Sequence, residues 1–101
     1  MATFLFRLNS PRPTFPGDMT PAEREVMRRH VAYWSGHANA GTVIAFGPVM
    51  DPRVGSFGVA IVQTDADTAS ALTAADPLML ENLGFSYDIL PMPQLVLRPN
   101  A

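Results

Sequence analysis

His30 is the residue of this sequence best placed to move protons. It falls among Val26, Met27, Tyr33 and Trp34, which recur at helical spacing and mark the core-facing stripe of an amphipathic segment. Imidazole is the one side chain whose unperturbed pKa lies near neutrality, so such a placement can support general acid–base chemistry. The same placement also suits a core histidine whose ring nitrogens are satisfied by backbone or water. Two carboxylates could serve it. Asp76 and Asp51 each precede a proline, and each therefore also reads as a turn residue. Asp76 is expected at the C-terminal end of a helix, where the dipole disfavours a carboxylate by roughly 0.3–1 kcal/mol. Arg7 falls on the minor face of an expected strand, either solvated or lining a cavity. His37, near a helix end, suits the dipole and reads as structural.

Other chemistries find no support. His30 and His37 are not the i, i+4 pair of a helical zinc site, and no third ligand cluster accompanies them, so no metal is expected. There is no glycine-rich phosphate loop, no Gly-x-Ser-x-Gly elbow and no dinucleotide fingerprint, so no cofactor is expected. Without cysteine there is neither thiolate catalysis nor a disulfide.

The elements that must position these residues follow from periodicity and punctuation. Thr3 to Leu8 alternates, with Phe4, Phe6 and Leu8 on one face, and predicts a half-buried strand. Asn9 to Asp18 carries Pro11, Pro13, Pro16 and Gly17 and predicts an irregular loop long enough to rim a pocket. Thr20-Pro21-Ala22-Glu23 is a capping box with proline at the first helical position. The helix should run from about Pro21 to Ala40 and stop at Gly41. Thr42 to Met50 predicts a second strand, at an edge or bulged, because Pro48 cannot donate to a ladder. After the Asp51-Pro52-Arg53 turn, Ser56 to Gln63 predicts a third strand. The small Ser56, Gly58 and Ala60 form one of its faces, where a tight helix or a partner sheet could approach. Thr64 or Asp65 caps a short helix to about Ala75, ended by Asp76-Pro77. Phe85 to Pro91 predicts a fourth strand and Gln94 to Arg98 a short extra one. The order β-α-β-β-α-β is that of the ferredoxin-like α+β fold.

At 101 residues the chain forms a single domain, 1–101, with one small core. Its hydrophobic share is 48% against 16% charged, so apolar surface is expected to remain after one copy folds, and a homodimer is expected to cover it. All seven basic residues are arginines, interleaved with acids on the first helix, and no basic stripe with aromatic platforms appears; nucleic-acid binding is not expected. The apolar start is broken by Arg7 and runs into prolines, and no apolar run approaches a membrane span. Neither a signal peptide nor membrane insertion is expected, and a cytoplasmic location is.

Taken together, Arg7, Arg12-Pro13-Thr14-Phe15, Asp18-Met19-Thr20-Pro21, His30-Val31-Ala32-Tyr33-Trp34, Phe46-Gly47-Pro48-Val49-Met50-Asp51-Pro52 and Ala74-Ala75-Asp76-Pro77 closely resemble the YciI-like (YCII-related) proteins. The resemblance runs from about residue 3 to residue 91 and leaves 92–101 as an extension. It implies a ferredoxin-like protomer that dimerises into an α+β barrel, and a His-Asp active-site pair carried here by His30 and Asp76. One relative of this kind is a dehydrochlorinase of a chlorinated hydroxyhydroquinone, which implies acid–base elimination without a cofactor. The chain departs from the family pattern after Pro77, where Leu78 to Leu83 replaces a segment that usually carries an aromatic residue.

Three functions are compatible with these residues. The first is a cofactor-independent lyase with His30 as base and acid and Asp76 as its orienter. Arg7, Trp34 and Asp51 would line its site for a small, aromatic, anionic substrate. The second is a non-catalytic module of the same fold that binds a small ligand or a protein partner. The third, on fold analogy alone, is a cofactor-free monooxygenase of the dimeric α+β barrel type.

Overall fold

The computed structural model describes residues 1–99. Its elements are β1 (Ala2–Asn9), α1 (Pro21–Asn39), β2 (Val43–Asp51), β3 (Gly55–Thr64), α2 (Ala66–Ala74), α3 (Pro77–Leu80) and β4 (Ser86–Pro91). The sheet order is β2-β3-β1-β4 with every neighbouring pair antiparallel, which is the ferredoxin-like α+β arrangement. The capping box forms as its residues require. Thr20 Oγ1 accepts from the Glu23 N–H at 3.1 Å, and Glu23 Oε1 accepts from the Thr20 N–H at 2.9 Å. Gly41, at φ +91°, takes the left-handed position that ends α1. Pro48 lies in β2, an edge strand, and the irregularity in its pairing falls earlier, between Val43 and Ala45.

Alternation sorts the strands into two unlike faces. Phe4, Phe6 and Val62 turn towards the helices and pack with Trp34 and Ala69. A second cluster joins Leu8, Phe15, Val26, Leu78 and Phe85 around α3. The cross-strand partners Phe6↔Ala60 and Leu8↔Gly58 put the small residues of β3 on this helix side. The small face therefore looks towards the helices, and the larger Phe57, Val59 and Ile61 occupy the opposite face with Leu5. Two further expectations change. Gln94 to Arg98 forms no strand. A one-turn helix, α3, follows Asp76 directly, because the Asp76 side chain and Pro77 together start a new turn. No helix among the described residues is long and apolar enough to cross a membrane.

Candidate functional site

A cavity of about 370 Å³ lies between α1 and the helix side of the sheet. The fold makes room for it through the small residues of β3. A Cβ added at Gly58 would meet the Leu8 side chain at 3.3 Å, so a larger residue there would intrude on this space. Phe6, Phe46 and Phe85 supply aromatic wall, and Met19, Met27 and Met50 supply flexible apolar wall. His30 reaches the cavity from the middle of α1, with its side chain 12% exposed.

Behind His30 sits Asp76, with no exposed surface at all. One carboxylate oxygen, Oδ2, accepts three hydrogen bonds: from His30 Nδ1 at 2.7 Å, Trp34 Nε1 at 2.7 Å and the Tyr87 hydroxyl at 2.6 Å. The other, Oδ1, accepts from the Leu78 N–H at 2.8 Å and caps α3. The expectation of an unfavourable dipole is thus corrected: α2 ends at Ala74 with Ala75 as its cap, and Asp76 sits at the start of the next turn, where backbone N–H groups favour a carboxylate. Burial pushes the Asp76 carboxyl up, but the hydrogen bonds from His30 and Tyr87, the imidazole's charge and the Trp34 N–H outweigh it and hold the carboxyl below its ordinary range. The same contact works in reverse on Tyr87, whose hydroxyl is pushed well up by burial and by the adjacent carboxylate.

This arrangement fixes the imidazole. An ionised Asp76 accepts from Nδ1, so the neutral ring carries its hydrogen there and leaves Nε2 as an acceptor. No hydrogen-bond partner for Nε2 occurs among the described residues. The ring can therefore take a proton from a molecule in the cavity while the carboxylate stabilises the imidazolium that forms.

His30, Asp76 and Trp34 are brought together; Arg7 and Asp51 are not. Trp34 both lines the cavity and donates to Asp76, so it orients the carboxylate as well as forming wall. Arg7 is not among the residues that border this cavity. It points to the uncovered sheet face, where its guanidinium lies 4.4 Å from the centre of the Phe57 ring and its Nε is buried without a partner. Asp51 does not border it either. It closes the β2–β3 turn by accepting from the Arg53 N–H at 2.8 Å. Among the described residues no arginine borders the cavity. Tyr87 is the residue that sequence reasoning missed. Its signal was present, since a tyrosine on the buried face of a strand needs a partner for its hydroxyl.

The proline-rich loop does border the cavity, through Ser10, Phe15, Pro16 and Met19. Arg12 holds it in place. Its guanidinium donates to both oxygens of Glu23 at 2.7 Å and to Asp18 at 2.9 Å. Glu23 thus caps α1 and anchors the loop at once, and Arg12 with the Thr20 N–H lowers its carboxyl to about 2. Among the described residues no group of histidines and carboxylates could hold a metal ion.

A family model for the YCII-related domain matches residues 4–93, from within β1 to just past β4. No curated protein matches the chain at a significant level.

Proposed function

The chain belongs to the YCII-related domain family, and from that premise we propose that it is a cofactor-independent acid–base enzyme acting on a small organic substrate. The observation that carries this reading is the 2.7 Å contact between His30 Nδ1 and the buried Asp76, made by a ring that borders a cavity of substrate size. In an elimination of the dehydrochlorinase kind, His30 Nε2 takes a proton from a hydroxyl of the substrate. His30 returns that proton to the chlorine-bearing ring carbon as the hydroxyl becomes a carbonyl, then takes the proton of a second hydroxyl. The O–H pair forms the second C=O, the ring pair shifts to the chlorine-bearing carbon, chloride departs with the carbon–chlorine pair, and the last proton passes from His30 to water. Asp76 stays ionised throughout and acts by orienting the ring. Release of chloride from a chlorinated hydroxyhydroquinone by the wild type, and its loss in His30→Gln, is the expected result. Equal rates in the two proteins would overturn the reading.

A binding module without turnover is the second reading. It is favoured by the apolar character of the lining, and chloride release absent from the wild type would support it. In either case the protein acts as a homodimer. Leu5, Phe57, Val59 and Ile61 share a sheet face that no helix covers, and a second copy packed sheet to sheet would bury it.

A further inference from the structure

The hydrogen-bonding capacity of the cavity can be accounted for atom by atom. Its lining contains Ser10, His30, Trp34, Ser56 and Tyr87 as side chains with nitrogen or oxygen. Trp34 Nε1 and the Tyr87 hydroxyl donate to Asp76. Ser10 Oγ donates to the Ser56 carbonyl, and Ser56 Oγ donates to Met50 Sδ at 2.7 Å. Each of these donors is committed inside the protein. His30 commits Nδ1 to Asp76, which leaves Nε2 without a partner among the described residues in a ring that borders the space. The side chains therefore offer acceptors and no free donor. No arginine and no carboxylate belongs to the lining, and the carboxylate of Asp76 lies behind the His30 ring.

We infer that the cavity takes an uncharged, mainly apolar molecule whose hydroxyl donates to His30 Nε2, and that it discriminates against carboxylates. An anion brings only acceptors, finds no free side-chain donor unless it forces a proton onto the ring, and adds a second negative charge beside Asp76 in apolar surroundings. An apolar body without a hydroxyl fills the same walls but leaves Nε2 unpaired. The aromatic and methionine side chains accommodate the remainder of such a molecule, and the cavity volume admits a body of two fused rings. This inference rests on the proposed proton-accepting role of His30 but not on turnover.

Three probes of one ring body test it: 2-naphthol, 2-naphthoate and naphthalene, titrated calorimetrically into the full-length protein at neutral pH. The expected order places 2-naphthol about tenfold tighter than naphthalene, the worth of one hydrogen bond. It places 2-naphthoate weaker than 2-naphthol by at least about tenfold, because of its buried charge. In His30→Phe the advantage of 2-naphthol over naphthalene should vanish. Should that variant fail to fold, the wild-type series still decides. The inference is overturned by 2-naphthoate binding as tightly as 2-naphthol, by 2-naphthol binding no tighter than naphthalene, or by no binding of any probe. Chloride release with a missing naphthol preference would sink this inference alone. A naphthol preference without chloride release would sink only the enzymatic reading.

Discussion

Replacing Asp76 with asparagine keeps the shape of the side chain and removes its charge. The native carboxylate accepts from His30, Trp34 and Tyr87 through one oxygen and from the Leu78 N–H through the other. If the amide oxygen takes the first position, its NH2 group confronts the Leu78 N–H and the cap of α3 is lost. If it flips, three donors confront the NH2 group instead. The first arrangement is the less costly. Three charge-assisted hydrogen bonds become neutral ones at about 1 kcal/mol each, and one buried N–H is left unsatisfied at about 1–3 kcal/mol. Allowing for non-additivity, the loss is about 3–5 kcal/mol, a large part of the stability of a domain this size. Urea unfolding should show the midpoint falling by about 2 M with little change in slope.

The pH dependence has a fixed sign. Because the folded Asp76 carboxyl lies below its ordinary 3.8, its contribution is fully present above that value and is lost as pH falls through the folded value. The gap between wild type and Asp76→Asn should therefore narrow as pH falls below about 4. Taking the difference at each pH cancels the acid sensitivity of Glu23, which both proteins share. A gap under about 1 kcal/mol at neutral pH, or one unchanged down to pH 2, would refute the reasoning.

Tyr87→Phe removes one donor from Asp76 while preserving the aromatic wall. It should raise the Asp76 carboxyl, moving the onset of acid unfolding to higher pH in a circular-dichroism titration. Shortening the Asn9–Asp18 loop with Thr20 to Glu23 kept intact should lower stability, because Phe15 leaves the core cluster, and should abolish 2-naphthol binding in protein that the same spectra show folded, because Phe15 and Pro16 leave the cavity wall. Val59→Asp places a charge on the uncovered sheet face and should give the mass of one chain by light scattering, where the wild type gives two. The Thr20→Ala variant should lose about 1 kcal/mol in urea unfolding, since its hydroxyl caps α1.

Local signals reached far into this fold. The Thr20–Glu23 box placed the start of α1, and the alternation of Phe4, Phe6 and Leu8 placed β1, because capping and period-two burial are written in adjacent residues. The pairing of His30 with Asp76 came from family resemblance; spacing could not supply it, as the two lie 46 residues apart on separate elements. What stayed hidden depended on which side of that sheet a residue faces. Arg7 alternates correctly against the phenylalanines, yet only the docked helices decide that its face is the uncovered one. The small residues of β3 were equally open between a helix and a second sheet until Phe6↔Ala60 fixed their side. α3 is a single turn held by the Asp76 side chain, too short to leave a periodic trace.

The most direct test of the acid–base site is the tautomer of His30, read from the imidazole nitrogen resonances of labelled protein at a pH where the ring is neutral. Donation from Nδ1 to Asp76 predicts a protonated Nδ1 and a bare Nε2, with the Nε2 resonance shifting when 2-naphthol is added. A neutral ring carrying its hydrogen on Nε2 would contradict that geometry and remove the proton acceptor from the cavity.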